Sequence, residues 1–200
     1  PGQPLGRPLT GTEASVDALS RSDLLDYFAG HYVTPNTLVA IAGNFDPEHA
    51  RREVERRLGR ARPGQSARFE PVAWRQTRPG IGWCAKPVEQ TQLALGVRTC
   101  SRHDDRRYPL RLLNAVLGEN MSSRLFQSIR EDQGLAYNVY SSLSFFDDTG
   151  DFVVSAGLDT GNLTRVLDLV IGELRRISQT CPSTAELRRA KDYLIGQIEL

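Results

Sequence analysis

The sequence has few of the side chains that most often bind metals or cross-link chains. Its 200 residues include three histidines and three cysteines, and the cysteines, at Cys84, Cys100 and Cys181, form no CxxC pair. Neither a zinc ribbon nor a thioredoxin-like redox site is therefore predicted. One disulfide stays open, but each cysteine is expected to act as a small buried apolar side chain.

Long hydrophobic runs and an excess of one charge are also missing. No segment approaches the run of about 18 apolar residues that a membrane-spanning helix needs, so no membrane partner is predicted. Basic residues number 25 and acidic residues 24, which leaves a net charge of +1. Nucleic acid would call for a basic face, so no nucleic-acid partner is predicted either. The composition, 40% hydrophobic and 24% charged, is typical of a globular protein.

Several catalytic motifs are absent from the sequence. It contains no HExxH, no GxSxG nucleophile elbow, and neither a Walker loop nor GxGxxG. Residues 45–49 match the inverted zinc motif H-x-x-E-H at Glu48 and His49, but Phe45 stands at the first ligand position and cannot bind a metal. No metal ligand, catalytic residue or cofactor is therefore predicted in this chain.

Hydrophobic periodicity predicts an ordered series of helices and strands. Ser20 with Asp23, and Asp46 with Pro47, mark two helix starts. Residues 1–19 are predicted to be irregular. The predicted helices cover residues 21–32, 47–58, 104–117, 122–133, 162–178 and about 187–198; the predicted strands cover 37–42, 81–85, 92–97, 135–146 and 152–158. Paired strands followed by helices indicate an α+β fold, in which helices pack on one face of a mainly antiparallel sheet.

One dense group of residues lies where a predicted helix turns over Gly134 into a strand. Arg130 is on the last turn of the helix, and Tyr137 is just inside the strand. Five guanidinium donors and a phenolic hydroxyl suit binding of a peptide carbonyl or an oxyanion. In the alternative, Arg130 pairs with a nearby acid and Tyr137 packs on the sheet, and spacing alone favours that structural interpretation.

The residues around this turn resemble those of a known family. The sequence reads S-S-R-L-F over residues 122–126, I-R-E over 129–131 and G-L-A-Y-N-V-Y-S over 134–141. This pattern closely resembles the second half-domain of the pitrilysin/insulinase family of zinc metallopeptidases, which includes mitochondrial processing peptidase. Similarity to the late part of the family's first half-domain extends over residues 4–8, 11–13, 32–36 and 43–46.

The resemblance implies a division of labour between two facing half-domains. The first half-domain carries H-x-x-E-H and a later Glu, which bind the catalytic zinc. The second half-domain has no metal and contributes an Arg/Tyr pair that binds substrate, and Arg130 and Tyr137 match that pair in type and spacing. Arg124 and Phe126 match the family's helix and are interpreted as structural. Zinc is thus implied only for a parent protein or a partner subunit.

The resemblance also implies how the chain is organised. Residues 1–60 are similar to the α-β-α tail of the zinc-bearing half-domain, residues 61–80 form a linker, and residues 81–200 are similar to the head of the non-zinc half-domain. The missing zinc motif is expected before Pro1. Because the two half-domains are homologous, residues 1–60 could dock as part of one permuted domain, or could be exchanged between two chains in a homodimer.

The functional hypothesis is that this chain is the non-zinc portion of a metalloendopeptidase of this family. It is expected to hold an extended peptide or unfolded substrate beside a zinc-bearing half-domain or subunit, and to be inactive alone. The alternatives are a non-catalytic structural or assembly subunit of the same family, and a stand-alone peptide-binding module. The bacterial periplasm and the cytoplasm both remain open as its location.

Overall fold

The computed structural model describes residues 2–66, 68–73 and 76–199. Internal contacts divide the chain into two compact units, residues 1–74 and residues 75–200. None of the helices in the described ranges is long and apolar enough to cross a bilayer.

The first unit is built from short helices with N-terminal caps. They are α1 (Glu13–Asp17), α2 (Arg21–His31) and α3 (Pro47–Leu58). Ser20 and Asp23 cap α2 reciprocally, and Asp46 accepts hydrogen bonds from the first backbone amides of α3, so both predicted helix starts are confirmed. The prediction that residues 1–19 are irregular is wrong at α1, where Thr12 and Ser15 form a second capping box.

The predicted strand over residues 37–42 does not form a strand. Leu38 is 91% exposed, and no described residue pairs with this segment in a sheet. An extended segment is a stable strand only when neighbouring backbone groups accept and donate its hydrogen bonds. Within residues 2–66 and 68–73, Val33 is the one buried residue.

The second unit is an antiparallel sheet covered by helices, which confirms the predicted α+β fold. The strands β1 (Thr91–Thr99), β2 (Ala136–Phe145) and β3 (Gly150–Leu158) are ordered β1-β3-β2. The helices are α4 (Arg107–Leu117), a π-helix (Phe126–Glu131), α5 (Leu163–Gln179) and α6 (Thr184–Glu199).

The main core of this unit lies between the central strand and α5. Alternate residues of β3 are buried on one face, and they share a hydrophobic cluster with Val166 and Val170 of α5. A smaller cluster joins Ala115 and Val116 of α4 to Ala190 of α6. The sequence pattern predicts both features: alternate residues are buried in β3, and residues about one helical turn apart are buried in α5.

Three further predictions for the second unit need correction. Residues 81–85 form no strand, and Ile81 is 98% exposed because no described strand lies beside it. The helix predicted from residue 104 begins at Arg107, since the Asp104 carboxylate accepts the Arg106 amide and holds a turn there. Cys100 is buried as expected, but Cys84 and Cys181 are exposed.

Candidate functional site

The turn around Gly134 presents Arg130 to solvent. The π-helix that carries Arg130 is anchored by Leu125 and Ile129, which are fully buried. The chain turns after this helix at Gly134, whose φ of 60° is in the left-handed region, and the Leu135 amide donates to the Ile129 carbonyl at 2.9 Å. Buried apolar side chains on one side of the helix therefore fix Arg130 on the opposite, exposed side.

The Arg130 guanidinium keeps its hydrogen-bonding capacity. Its central carbon lies 5.0 Å from the centre of the Phe126 ring, a distance at which the ring attracts the cation without using its N–H donors. Within the described residues no carboxylate forms a salt bridge with Arg130. The alternative in which Arg130 pairs with a nearby acid is therefore not seen.

Tyr137 is the extra residue of a β-bulge. In the pairing of β2 with β3, Ala136 lies opposite Leu158 and Asn138 lies opposite Gly157, so Tyr137 has no partner. Strict alternation along a strand would put Tyr137 on the same side as Val139, but the bulge reverses the side at this point. Val139 is buried, whereas Tyr137 is 54% exposed.

The Tyr137 hydroxyl is oriented by Asp159. It donates a hydrogen bond to Oδ1 of Asp159 at 3.2 Å. The negative charge of Asp159, together with that hydrogen bond, raises the pKa of Tyr137 above its usual 10.0, and the charge of Glu89 adds to the effect. Tyr137 is therefore held as a neutral phenol beside two acidic side chains.

The turn that contains Asp159 is fixed to both outer strands. Asp159 precedes the 3₁₀ turn Thr160–Asn162. The Asn162 side-chain amide donates to the Leu135 carbonyl at 3.3 Å, and the hydroxyls of Thr91 and Thr160 are 2.7 Å apart. These contacts restrain the carboxylate relative to the start of β2 and the start of β1.

Amide side chains surround Gly157, opposite the bulge. The Gly157 amide donates to Oδ1 of Asn138 at 2.7 Å. A Cβ at Gly157 would lie 2.9 Å from that oxygen, 3.2 Å from the Gln92 amide nitrogen and 3.3 Å from the Gln90 amide oxygen. Gln90 and Gln92 also line an open groove of about 420 Å³ with Pro87, Val88 and Glu89. Glycine at position 157 thus allows these polar groups to meet opposite the bulge.

Arg124, six residues before Arg130, is in a different environment. Its guanidinium donates to both carboxylate oxygens of Glu186, at 2.6 and 3.2 Å, and lies 4.0 Å from a Glu173 oxygen. The Arg124 and Glu186 side chains are 17% and 22% exposed. This pair connects the segment before the π-helix to α6, as the structural interpretation of Arg124 expects.

Two acidic residues of the site, Asp159 and Glu89, were not identified from the sequence. They belong to no motif, and they approach Tyr137 only through the bulge and strand pairing. An Asp followed by a Thr-Gly-Asn turn predicts an N-cap, but the Asp159 side chain forms no cap hydrogen bond. No sequence signal therefore marked its contact with Tyr137.

The histidines of this chain do not form a zinc site. His31 Nδ1 is 3.0 Å from the Tyr27 carbonyl oxygen, and its ring stacks on that of Tyr27. His49 is at the start of α3, and His103 lies 3.8 Å from Asp147. Across the described ranges, no three His, Cys, Asp or Glu side chains converge as metal ligands would. The residues present do not fit a zinc ion.

The chain is similar to known proteins of one family. Residues 18–194 match the family model described as the peptidase M16 inactive domain. Proteins named uncharacterized zinc protease in Mycobacterium leprae and Streptomyces coelicolor are 38% and 35% identical, each over 98% of this chain and over 45% and 44% of their own lengths. The crystal structure of a peptidase M16 inactive domain from Pseudomonas fluorescens aligns with a TM-score of 0.83 and 25% identity, covering 95% of this chain and 46% of that one.

These matches agree with the resemblance carried by residues 121–141. The chain spans slightly less than half the length of the relatives it matches. The family model covers most of the chain, and the described fold is shared with the Pseudomonas domain. The chain therefore belongs to the peptidase M16 family, and its matched region is the family's inactive domain.

Proposed function

We propose that this chain holds extended peptide substrate for a zinc metalloendopeptidase, through Arg130 and Tyr137. The observation that carries the proposal is made on one helix-turn-strand segment. It exposes a guanidinium for which the described residues supply no acidic partner, and a tyrosine turned outward by a bulge. Arginine donors suit a peptide carbonyl and the negative oxygen that forms from it during hydrolysis. The pair would orient the scissile peptide and stabilise its oxygen.

The metal chemistry would come from a zinc-bearing half-domain or subunit. The relatives that cover this chain are named zinc proteases, and the histidines described above do not fit zinc. Zinc, when bound in the partner half, supplies a Lewis acid for hydrolysis. The role of this chain is then to bind and orient the peptide, and we expect it to be inactive alone.

Residues 1–60 are proposed to bury their apolar side chains against another protein surface. Leu24, Phe28 and Ile41 are each at least half exposed. Leu24 and Phe28 are one turn apart on α2, and apolar side chains gathered on one exposed helix face mark an interaction surface. The two forms of this proposal are the permuted domain and the homodimer formed by exchange of residues 1–60. Both remain predictions.

The substrate-holding proposal is tested with Arg130→Gln and Tyr137→Phe in the assembly of this chain with its zinc-bearing half. We expect Arg130→Gln to weaken peptide binding about tenfold to a hundredfold and Tyr137→Phe about threefold to tenfold, from the loss of a charged and a neutral hydrogen bond. Fluorescence anisotropy of a labelled unfolded peptide measures the affinity, and thermal unfolding measures stability.

Matched controls separate peptide binding from a structural role. Arg175→Gln removes an exposed guanidinium from α5, and Tyr140→Phe removes an exposed hydroxyl from β2. Both controls should leave peptide affinity unchanged. If Arg130→Gln and Tyr137→Phe lower the unfolding temperature without changing peptide affinity, the structural-subunit alternative is favoured. If this chain alone binds the peptide as tightly as the assembly does, it is a stand-alone peptide-binding module.

A further inference from the structure

The bulge on β2 places two consecutive side chains on one face of the sheet. Ala136 and Val139 are 8% and 3% exposed, and both belong to the main core cluster. Tyr137 and Asn138, which lie between them, are both exposed. Neighbouring side chains of a regular strand point to opposite faces, but a bulge that sets two residues against one breaks this alternation. Asn138 is therefore presented next to Tyr137, on the face opposite the core.

The strand pairing fixes which way the Asn138 amide points. The Gly157 backbone N–H donates to the Asn138 side chain at 2.7 Å. Because a backbone N–H can only donate, the atom that meets it must be the side-chain oxygen, and the NH2 group must point away from it. A Cβ at position 157 would lie 2.9 Å from that oxygen, so glycine lets the amide lie over β3. The orientation of this amide is thus determined by the fold.

The NH2 group of Asn138 keeps both of its donors. Within the described ranges, the bond to Gly157 is the one hydrogen bond that the Asn138 side chain forms, and it uses only the oxygen. Since Asn138 is exposed, its two N–H groups are open to a bound molecule. Uncharged N–H donors of this kind suit a neutral acceptor such as a peptide carbonyl.

We propose that Asn138 is a third residue of the peptide site, and that its NH2 group donates to a backbone carbonyl of the extended peptide. The inference rests on the proposed function and adds a second point of contact along the substrate. Carbonyls on one edge of an extended chain recur at every second residue, about 7 Å apart. Arg130 and Tyr137 hold the scissile carbonyl and Asn138 holds a neighbouring one, which restrains the peptide from turning about a single contact.

Asn138→Asp separates peptide binding from the structural bond. The carboxylate keeps an oxygen for the Gly157 N–H, so the bulge stays held, whereas both donors of the NH2 group are lost. In the assembly with the zinc-bearing half, we expect a labelled unfolded peptide to bind about tenfold more weakly, with little change in the unfolding temperature. Asn138→Ala also removes the bond to Gly157, so it should weaken binding and lower the unfolding temperature.

Gln179→Glu is the matched control for this substitution. It makes the same change from an amide to a carboxylate at the exposed last residue of α5. It should change neither the peptide affinity nor the unfolding temperature.

Peptides with a single thioamide identify the carbonyl that Asn138 contacts. Each thioamide replaces one backbone carbonyl oxygen by sulfur, which is a weaker hydrogen-bond acceptor, and it leaves the side chains unchanged. Binding is measured with a chelator present so that the peptide is not cleaved. We expect two positions at which the thioamide weakens binding about threefold. The penalty at one position should disappear in Asn138→Asp, and the penalty at the other should shrink in Arg130→Gln.

The outcomes separate this inference from the function on which it rests. If Arg130→Gln and Tyr137→Phe weaken binding but Asn138→Asp does not, the function stands and Asn138 is not part of the peptide site. If Asn138→Asp weakens binding but every thioamide penalty persists in it, the carbonyl contact is overturned. If one penalty disappears in Asn138→Asp while Arg130→Gln and Tyr137→Phe bind the peptide normally, the proposed function fails and the contact of Asn138 stands.

Discussion

Two arginines on neighbouring turns show how environment divides one residue type into two roles. Arg124 lies against α6, where Glu186 accepts two of its hydrogen bonds. Arg130, six residues later, stands on the exposed side of the π-helix over the Phe126 ring. A guanidinium whose donors are used inside the protein contributes to the fold, whereas one with free donors is available to a ligand.

The pair of Arg124 and Glu186 predicts a pH-dependent contribution to stability. The hydrogen bond from Arg124 is the main cause that lowers the pKa of Glu186 from 4.5 to about 2. A carboxyl with a lowered folded pKa stabilises the protein above its unfolded pKa, and this contribution is lost as the pH falls toward the folded value. Glu186→Gln should therefore lower the free energy of unfolding at pH 7 by roughly 1–3 kcal/mol, and the difference should shrink between about pH 5 and pH 2.

Urea unfolding of the two proteins across this pH range measures the effect. Glu131→Gln is the matched control, because Glu131 is an exposed acid at the end of the π-helix. It should leave stability within about 0.5 kcal/mol of the unsubstituted protein. A loss in Glu186→Gln that is the same at every pH would contradict the assignment to this ion pair.

At the scale of elements, the contact between α4 and β2 depends on a glycine. Gly118 ends α4, and its carbonyl accepts the Ser141 amide of β2 at 2.9 Å. A Cβ at Gly118 would lie 2.7 Å from that backbone nitrogen and 2.9 Å from the Ser141 Cβ. Asn114 of α4 reinforces the contact, since it accepts a hydrogen bond from the Ser141 hydroxyl at 2.7 Å. The helix and the strand can approach this closely only without a side chain at 118.

Gly118→Ala and Gly172→Ala are predicted to change stability in opposite directions. Gly118→Ala forces backbone atoms of β2 away and should destabilise the protein by about 1–3 kcal/mol. Gly172 is an exposed position within α5, where a Cβ meets nothing within 4 Å. Gly172→Ala should stabilise the protein by about 0.5–1 kcal/mol, because alanine loses less conformational freedom in a helix.

Thermal and denaturant unfolding of both variants give this comparison. Gly172→Ala also controls for the general effect of adding a methyl group to a glycine. Equal stability of Gly118→Ala and the unsubstituted protein would contradict the prediction, because it would mean that α4 can move away from β2 at no cost.

At the scale of the whole molecule, the two units differ in the cores that they contain. The second unit has two hydrophobic clusters, whereas Val33 is the one buried residue among those described in the first. Helices as short as α2 are marginal in water unless an apolar face is covered. If residues 1–60 pack against another surface, as proposed, their helices should be more protected than their exposed side chains imply.

Hydrogen exchange at several protein concentrations tests this proposal. We expect the amides of α2 and α3 to exchange more slowly than those of an isolated helix, and those of β3, in the middle of the sheet, to exchange slowest. Protection that appears only when sedimentation shows a dimer would support exchange of residues 1–60 between chains. Protection in the monomer would support the permuted domain, and no protection at any concentration would contradict both.

The sequence by itself determined the elements whose signals are local. These elements each depend on neighbours within a few residues. They are the cap pairs Ser20–Asp23 and Asp46–Pro47, the apolar stripe of α5, and the adjacent strands β2 and β3. The motif over residues 121–141 likewise identified the family, which the comparisons confirmed. Periodicity and capping work in these cases because they describe interactions along the chain.

The tertiary structure decided what depends on a distant partner. Residues 37–42 and 81–85 have strand-like sequences, but a strand exists only where another strand accepts its hydrogen bonds. The bulge that turns Tyr137 outward arises where β2 pairs with β3. The same pairing brings Tyr137 into contact with Asp159, which is 22 residues away in the sequence. The sequence thus located the candidate pair, and the fold determined which side of the sheet Tyr137 faces and which carboxylate accepts its hydrogen bond.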